Sequence, residues 1–366
     1  MIKKKFRSEC NRVRKYSDMK NQLFPAFFVL ILILLLSARC SENKSEKKAA
    51  DTQGLTPAIK TPLIIGNETS LLLKDLEDNG DYVNSQVFPS LIKASIVNES
   101  LGKNILIIDL RSSKHFSEGH IKGSVNKRFE QLPAYLETGI KPFEYDKIIM
   151  VCEDGQVSSY TTCLLRLMGY GNIYSMRWGM SAWNAQYAKN GWLKGVSGKY
   201  EANLENKVNE RPVSKGMPEL GTGKVSGEEI GSARFHKLFE EGTDNILITA
   251  DEVFSNPQKY FIINLERKDK YEDGHIPGSV RYKPEATLGF TEEMSSIPSD
   301  KTVVVYCGTG HNSGFATAYL RLFGYDARTL KYGNNSFMHD KMVRQRATLS
   351  WLPFTAADVN NFQTVK

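Results

Sequence analysis

The stretch "TVVVYCGTGHNSGFATAYLRLFGY", residues 302–325, contains the transition that decides the fold. A β-branched apolar run ends at Cys307, a Gly-rich turn follows, and a pattern with helical spacing begins near His311. An apolar run this short and continuous is typical of a strand covered on both faces. In open α/β sheets, ligands bind beyond the carboxyl ends of the strands. Cys307 therefore stands where such a fold places its chemistry.

The same unit occurs twice in the chain. "IIMVCEDGQVSSYTTCLLRLMGYG" at 148–171 matches "VVVYCGTGHNSGFATAYLRLFGYD" at 303–326, so that Cys152 corresponds to Cys307. "ILIIDLRSSKHFSEGHIKGSV" at 105–125 matches "YFIINLERKDKYEDGHIPGSV" at 260–280. A period this long indicates a duplicated domain. The alternation of strand and helix patterns predicts a parallel α/β sheet with right-handed crossovers in each copy.

The repeat and the local composition predict the domain organisation. Segments rich in Gly, Pro, Ser and charge separate or flank the two copies, and we interpret them as tether and linker. We assign no role to the C-terminal extension. In chain order the predicted segments are a signal peptide (1–39), a flexible tether (40–84), domain 1 (85–195), a linker (196–239), domain 2 (240–345) and the C-terminal extension (346–366).

The N-terminal segment has the features of a secretory signal. The apolar run "FPAFFVLILILLLSA", residues 24–38, is shorter than the roughly 20 residues that span a bilayer, and basic residues precede it. "LLSARC", residues 35–40, resembles the lipobox of bacterial lipoproteins, except that Arg39 replaces a small residue. The resemblance implies an exported, membrane-anchored lipoprotein, lipidated at Cys40 and facing the periplasm or the cell exterior. An uncleaved membrane anchor is the alternative. Translation from Met19 would leave a compact signal of the usual length.

Composition and charge indicate a globular protein without a nucleic-acid footprint. The chain has 366 residues, of which 41% are hydrophobic and 24% charged, and a formal net charge of +7. Nine of the 48 Lys/Arg but only two of the 41 Asp/Glu lie within residues 1–39. The rest of the chain is therefore neutral overall, so we expect no nucleic-acid partner.

The turn after the strand is suited to a reactive sulfur. Gly308 and Gly310 allow backbone N–H groups to converge on one centre, and the N-terminus of the following helix adds partial positive charge. Both effects favour a thiolate, so we expect the pKa of Cys307 to be lowered. Such a site fits a nucleophile or a persulfide. Cys163, at a core-like position in the first copy's helix, is predicted to be inert.

Several motifs together resemble a tandem rhodanese (sulfurtransferase) protein over about residues 85–195 and 240–345. The resemblance implies two rhodanese-like domains, each a parallel-sheet α/β sandwich with helices on both faces. It also implies that a cysteine thiolate takes sulfane sulfur from a small anionic donor, thiosulfate or 3-mercaptopyruvate, and passes it from a persulfide to cyanide or a thiol. No metal or organic cofactor is implied. The motifs are "DLRSSKHFSEGHIKGSV", "VCEDGQVSS", "LLRLMGYGNIYSMRWGMSAW", "YEDGHIPGSV", "YCGTGHNSG" and "LRLFGYDARTLKYG".

The two copies differ in charge, which makes Cys307 the predicted main nucleophile and Cys152 a second one. His311 in the second loop, if protonated, would assist an anionic donor. Two carboxylates in the first loop would raise the thiol pKa and repel an anion. Arg177 and Lys331 are candidate anion contacts, or alternatively solvated charges. The predicted loop residues are Gly308, Thr309, Gly310, His311, Asn312 and Ser313, and Glu153, Asp154, Gly155, Gln156, Val157 and Ser158.

The motif that follows the first strand of each copy also differs. Asp109-Leu110-Arg111 has the family's D-x-R pattern, whereas the second copy has Asn264-Leu265-Glu266. The usual ion pair must therefore be replaced in the second domain.

Three other functions are alternatives to sulfur transfer. A related phosphatase would need an arginine six residues after the cysteine, where this chain has Ser158 and Ser313. A zinc site lacks the necessary ligand spacing, so no metal is expected. A non-catalytic module that carries sulfur, senses redox state or binds a protein stays open as the alternative, and the acidic first loop favours it.

Overall fold

The computed structural model describes residues 66–283 and 291–366. The predicted signal peptide, the lipidation site at Cys40 and the alternative start at Met19 lie outside the described residues. Within these two ranges, no helix combines the length and the apolar character needed to cross a membrane. The described residues belong to one compact unit of the chain.

Two five-stranded parallel sheets form the framework. The strand orders are β1-β5-β4-β2-β3 and β6-β10-β9-β7-β8, which is the same topology twice. This confirms the predicted fold class. The strands are β1 (Leu91–Ile92), β2 (Ile105–Asp109), β3 (Val125–Asn126), β4 (Lys147–Val151), β5 (Ile173–Met176), β6 (Leu247–Ile248), β7 (Phe261–Asn264), β8 (Val280–Arg281), β9 (Val303–Tyr306) and β10 (Ala327–Leu330).

Helices cover both faces of each sheet. Short 3-10 turns and one π-helical turn at Tyr135–Gly139 complete the connections. The helices are α1 (Asn67–Asp78), α2 (Ala94–Glu99), α3 (Ser113–Glu118), α4 (Leu132–Ala134), α5 (Gln156–Leu167), α6 (Met180–Trp183), α7 (Ala185–Asn190), α8 (Trp192–Gly195), α9 (Gly227–Glu241), α10 (Ala250–Ser255), α11 (Lys268–Asp273), α12 (Thr291–Met294), α13 (His311–Leu322), α14 (His339–Arg344) and α15 (Arg346–Leu349).

The central strands are apolar throughout because each contributes to two cores. In β4, Ile148 and Met150 point into a core that extends across both domains, while Ile149 and Val151 point into a core built mainly from the first domain. Strand β9 alternates in the same way between the shared core and a core of the second domain. Side chains on a strand alternate in direction, so both faces must be covered.

The two domains meet through equivalent helices. Helices α5 and α13, which follow the two cysteine loops, pack directly against each other. They approach closely at Gly314, where a Cβ atom would lie 3.1 Å from the carbonyl oxygen of Gln156. Contact between equivalent elements is the geometry of a pseudo-twofold axis. It brings the N-terminal ends of both helices, and thus both cysteine loops, to the domain interface.

The prediction of a flexible tether is wrong for part of its interval. Residues 67–78 of the interval 40–84 form helix α1, which packs against α9. Leu72 and Leu76 are buried in the shared core, so this amphipathic segment has a hydrophobic face to cover. The many polar residues around them gave this segment the composition of a flexible tether, so its hydrophobic face was not recognised.

The predicted linker 196–239 is likewise more structured than a linker. Helix α9 begins at Gly227, with the Ser226 hydroxyl accepting a hydrogen bond from the N–H of Glu229. Before the helix, the chain lies along the second domain, where Glu205 pairs with His275 in an antiparallel bridge. The backbone N–H and carbonyl of Glu205 are thereby satisfied on the domain surface.

The C-terminal extension crosses both domains. Trp351 is buried in the core of the second domain, and Phe354 is buried in the core of the first. Farther on, the N–H of Phe362 donates to the carbonyl of Trp183 at 2.8 Å, and Val365 forms an antiparallel bridge with His120. The segment therefore joins the two domains by packing and by backbone hydrogen bonds.

Candidate functional site

Cys307 lies directly after β9, at the carboxyl end of the sheet, where the sequence predicts it. The loop turns into α13 through Gly310, whose φ of 74° is left-handed. The carbonyl oxygen of Cys307 accepts the N–H of Asn334 at 3.0 Å. A Cβ atom at Gly333 would lie 2.1 Å from that oxygen, so only glycine permits this close approach. The turn after β10 thus fixes the backbone of the nucleophile.

The sulfur of Cys307 faces hydrogen-bond donors but is buried. The backbone N–H groups of Ser313 and Thr309 are near enough to favour its ionised form, and the thiol donates to the Ser313 hydroxyl at 3.8 Å. The side chain is 5% exposed. Burial, and then the charge of Glu266, raise the pKa of the Cys307 thiol above its ordinary value. The expected lowering of this pKa is therefore wrong for the free thiol, because the sequence did not show how completely the loop is covered.

Glu266 is a feature of the second site that the loop sequence did not suggest. Its carboxylate is buried, lies beside the backbone of Gly308, and is 3.4 Å from the ammonium of Lys270. Burial raises the pKa of Glu266, while Lys270 opposes that rise. A Cβ atom at Gly308 would lie 3.0 Å from Oε1 of Glu266, so the carboxylate is in close contact with the loop backbone.

The equivalent position in the first domain is occupied by a buried ion pair. Arg111 binds Asp109 with an Nη2–Oδ2 distance of 2.7 Å, and both side chains are almost fully buried. Arg111 also donates to the carbonyl of Gly119 at 2.8 Å. The pair anchors the turn between α3 and β3. Its replacement in the second domain frees that position for Glu266.

The sulfur of Cys152 has a closer set of donors. The N–H groups of Gly155 and Ser158 donate to it at 3.1 and 3.3 Å, and the thiol itself donates to the Ser158 hydroxyl at 3.4 Å. The side chain is 1% exposed. Burial, followed by the charges of Asp154 and Glu153, raises the pKa of the Cys152 thiol to about 12. The carboxylates act in the direction expected from the acidic loop.

Glu153 and Asp154 occupy different environments. Glu153 is half exposed, and its Oε1 lies 2.9 Å from Nδ1 of His115. Asp154 is buried: its carboxylate accepts the N–H of Gln156 at 3.0 Å, and its carbonyl accepts the indole N–H of Trp192 at 2.8 Å. Glu153 therefore faces solvent at the mouth of the loop, whereas Asp154 stabilises the loop from within.

His311 does not face a site where an anionic sulfur donor could bind. Its ring is fully buried at the domain interface, where Nε2 accepts the N–H of Trp178 at 3.0 Å and Nδ1 lies 2.9 Å from the Thr309 hydroxyl. Burial, followed by the charge of Arg177, lowers the pKa of His311 to about 3. A neutral, inward-facing imidazole cannot supply the positive charge expected from the sequence.

Arg177 and Lys331 are half-buried and act on the opposite domain. Arg177, in the first domain, affects His311 of the second loop, while Lys331, in the second domain, favours the ionised form of Asp154 in the first loop. Each charge therefore crosses the interface instead of serving its own loop. The side chains of Val157 and Asn312 are partly buried, and Val157 packs on the shared core.

Two buried polar residues that the sequence analysis did not identify donate hydrogen bonds to backbone carbonyl groups of the cysteine loops. Asn335 donates to the carbonyl of Gly308 at 2.8 Å, and its own amide oxygen accepts the N–H of Phe354 at 2.8 Å. In the first domain, the Ser181 hydroxyl donates to the carbonyl of Glu153 at 3.2 Å. The alignment of "RWGMSAW" (177–183) with "KYGNNSF" (331–337) could have identified these two residues, because they occupy equivalent positions in it.

The arrangement fits a covalent sulfur carrier. Each sulfur stands between a strand end and a helix N-terminus and faces backbone N–H groups, which stabilise an anionic sulfur. Within residues 66–283 and 291–366, no group of three His, Cys, Asp or Glu side chains is placed to hold a metal ion.

Comparison with known proteins identifies the repeated unit. The sequence matches the rhodanese-like domain over residues 94–186 and again over residues 249–340. A thiosulfate sulfurtransferase of Azotobacter vinelandii is 24% identical over 270 residues, which are 63% of this chain and 89% of that protein. A tRNA uridine(34) hydroxylase of Prochlorococcus marinus (strain MIT 9312) is 31% identical over 111 residues, 28% of this chain and 33% of that protein. This chain thus spans about a third of the hydroxylase.

Among solved structures, a thiosulfate sulfurtransferase from Pseudomonas aeruginosa is 14% identical, with 73% of this chain and 48% of that chain covered and a TM-score of 0.26. That similarity adds nothing to the sequence match. The two matched segments cover just over half of the chain and lie within the two predicted domains. Each contains one cysteine loop between a strand and a helix, so the chain belongs to the rhodanese-like domain family.

Proposed function

We propose that this chain is a sulfurtransferase that carries sulfane sulfur as a persulfide, mainly on Cys307. The observation that carries the proposal is the position of the Cys307 sulfur at the carboxyl end of β9, facing the N–H groups of Thr309 and Ser313. Cys307 is also 5% exposed, whereas Cys152 is 1% exposed. The similarity to the Azotobacter vinelandii thiosulfate sulfurtransferase supports the same reaction class.

The proposed reaction proceeds by two displacements at sulfur. The Cys307 thiol first loses its proton to solvent. With thiosulfate as donor, the thiolate attacks the outer sulfur, the donor's S–S bond breaks, and sulfite leaves with the electron pair. Cyanide then attacks the terminal sulfur of the persulfide, so that thiocyanate leaves and the thiolate is regenerated. The backbone N–H groups stabilise the anionic sulfur in both steps, and neither step needs a metal or an organic cofactor.

The raised pKa of Cys307 determines the pH dependence of this reaction. Because burial and Glu266 hold the free thiol protonated, the first displacement becomes faster as the pH rises toward the pKa of the thiol. The donors proposed are thiosulfate and 3-mercaptopyruvate, and the acceptors are cyanide and small thiols. We place the reaction outside the cytoplasm, on a chain attached to a membrane through a lipid on Cys40. Replacement of Cys40 by serine should release the protein from the membrane fraction of cells that express the full chain.

The experiment that tests the reaction is thiosulfate:cyanide turnover of residues 41–366, beside Cys152→Ser and Cys307→Ser. We expect Cys307→Ser to abolish thiocyanate production and Cys152→Ser to preserve most of it. The reverse pattern would move the catalytic site to the first domain. Absence of turnover with thiosulfate and with 3-mercaptopyruvate would contradict the proposal for these donors.

The second candidate is a non-catalytic module that carries sulfur, senses redox state or binds a protein. The burial of both thiols, and the carboxylates beside Cys152, favour it, because a covered neutral thiol turns over slowly. Intact-mass measurement after a single exposure to thiosulfate separates the candidates. One added sulfur atom that cyanide does not remove catalytically would favour the carrier.

A further inference from the structure

The two cysteine loops are linked by a reciprocal exchange of hydrogen bonds across the domain interface. The amide oxygen of Gln156 accepts the backbone N–H of Tyr332 at 2.8 Å. The Nε2 atom of His311 accepts the backbone N–H of Trp178 at 3.0 Å. Gln156 and His311 correspond in the repeat, as do Trp178 and Tyr332. Each domain thus contributes a hydrogen-bond acceptor to the other.

The backbone groups that are held in this way adopt a conformation that needs support. Trp178 and Tyr332 have φ angles of 65° and 63°, in the left-handed region that side chains other than glycine rarely adopt. Such strain persists only where surrounding contacts determine the conformation. The acceptors on Gln156 and His311 are those contacts, because both are buried and each binds the strained residue directly.

Each of these strained turns also holds the backbone carbonyl of a cysteine by a hydrogen bond. After Tyr332, the N–H of Asn334 donates to the carbonyl of Cys307 at 3.0 Å. After Trp178, the N–H of Met180 donates to the carbonyl of Cys152 at 2.9 Å. The connection therefore runs from a side chain of one domain, through a turn of the other, to the cysteine of that other domain.

The close approach of the acceptors depends on glycine in both loops. A Cβ atom at Gly310 would lie 2.1 Å from Nε2 of Gln156, and a Cβ atom at Gly155 would lie 2.5 Å from Nε2 of His311. The amide nitrogen of Gln156 also donates to the carbonyl of Leu330 at 3.1 Å, so the side chain is bound at both ends. The same arrangement, built from different side chains, stands on both sides of the pseudo-twofold axis.

We propose that Gln156 is a positioning residue for Cys307, and His311 a positioning residue for Cys152, each acting across the interface on the opposite domain. The proposal deepens the function proposed above and rests on it for the catalytic readout. From the sequence alone, Gln156 would be expected to act on Cys152, and His311 on Cys307, each four residues earlier in the same loop. The proposal assigns each of them to the cysteine of the other domain. Gln156 gives the cleaner test, because His311 also contacts Thr309 in its own loop.

The test compares Gln156→Met with Gln156→His in the full chain. Methionine keeps the length of the side chain but removes both polar groups, while histidine is the residue that offers an acceptor at the equivalent position. We expect Gln156→Met to lower kcat of the Cys307-dependent turnover roughly tenfold, with a smaller change in KM, the effect of leaving one buried N–H unpaired. We expect Gln156→His to restore kcat to within about threefold of the original value.

A second readout does not depend on turnover. Native-state alkylation by iodoacetamide, followed by peptide mass spectrometry, gives a separate rate for Cys307 and for Cys152. Gln156→Met should change the rate at Cys307 more than the rate at Cys152, although residue 156 is closer in sequence to Cys152. A larger change at Cys152, or failure of Gln156→His to restore either readout in a folded chain, would overturn the proposal. If no variant turns over with any donor, the alkylation rates still decide it.

The unsubstituted chain provides a third measurement in case Gln156→Met does not fold. Amide hydrogen exchange of Tyr332 should be as slow as that of the neighbouring strand β10, because Gln156 binds the N–H in a buried position. Fast exchange at Tyr332 would contradict the inference. Gln186→Met, at an exposed glutamine of the first domain, is the matched control for the substitution itself.

Discussion

The ammonium group of Lys270 lies 3.4 Å from the buried carboxylate of Glu266 and 4.6 Å from the ring centroid of Trp351. The Oε1 atom of Glu266 lies beside the backbone of Gly308, next to the nucleophile. The C-terminal segment is thereby connected to the second cysteine loop by packing and charge. Several measurable consequences follow from these and the neighbouring contacts.

Replacement of Glu266 by glutamine should lower the pKa of Cys307. The carboxylate raises that pKa because a second negative charge disfavours the thiolate, and the amide removes the charge while preserving the shape. We expect several-fold faster alkylation of Cys307 at mildly alkaline pH, measured as a rate-against-pH profile by mass spectrometry. Glu272→Gln, at an exposed carboxylate paired with Lys268, serves as the control. An unchanged or higher pKa at Cys307 would show that Glu266 is protonated in the native chain.

Replacement of Arg111 by methionine should destabilise the first domain strongly. The substitution leaves the buried Asp109 carboxylate without its partner, which typically lowers the free energy of unfolding by about 3–5 kcal/mol. Urea denaturation followed by tryptophan fluorescence measures the loss. Arg267→Met, which breaks an exposed ion pair with Asp269, should change stability by no more than about 1 kcal/mol. Equal effects of the two substitutions would contradict the burial of the Asp109–Arg111 pair.

Acidification should destabilise the chain through His311. The pKa of this residue is lowered to about 3 in the folded protein, whereas an ordinary histidine has a pKa of about 6.5. Between these values the unfolded chain binds a proton that the folded chain does not, so stability falls as the pH falls. At about pH 5 the loss amounts to about 2 kcal/mol.

The variant His311→Gln lacks this titration but retains an acceptor for Trp178. Its free energy of unfolding should therefore decline less than that of the original chain between about pH 7.5 and about pH 5. His236→Gln, at an exposed histidine, is the control. Parallel declines in the original chain and in His311→Gln would mean that His311 is solvated.

Asn335 and Ser181 form a matched pair for testing how each loop is held. Asn335→Ala leaves the carbonyl of Gly308 and the N–H of Phe354 without a partner, at a typical cost of about 1–3 kcal/mol each. We expect the alkylation rate to change mainly at Cys307 in Asn335→Ala, and mainly at Cys152 in Ser181→Ala. If both variants affect the same cysteine, the supports of the two loops are not independent.

The sequence was sufficient for features that depend on local periodicity. The apolar runs ending at Val151 and Tyr306 predicted buried strands, and the glycine-containing turns followed by helical patterns predicted the two cysteine loops. The duplication then predicted two equivalent parallel sheets. These features are local or repeated, so their signal lies within short stretches of the chain.

Features that depend on contacts across the interface were not predictable. The sequence suggests that His311 is an exposed loop residue, but the rings of Trp178 and Trp192 pack against it and bury it. In the sequence, Glu266 indicates only that the ion pair of the first domain is lost. The structure shows that its carboxylate lies beside Gly308. In both cases burial, which no local pattern reports, determines the charge state and therefore the chemistry.

The C-terminal segment has a consequence for biosynthesis. Phe354 completes a core of the first domain, and Val365 extends the first domain by an antiparallel bridge to His120. These residues are synthesised only after the strands of both sheets, so the first domain cannot reach its final packing as soon as its own sequence has been made. Until then, Trp178 and Trp192 lack the ring of Phe354 against which they pack, and Trp183 lacks the ring of Phe362.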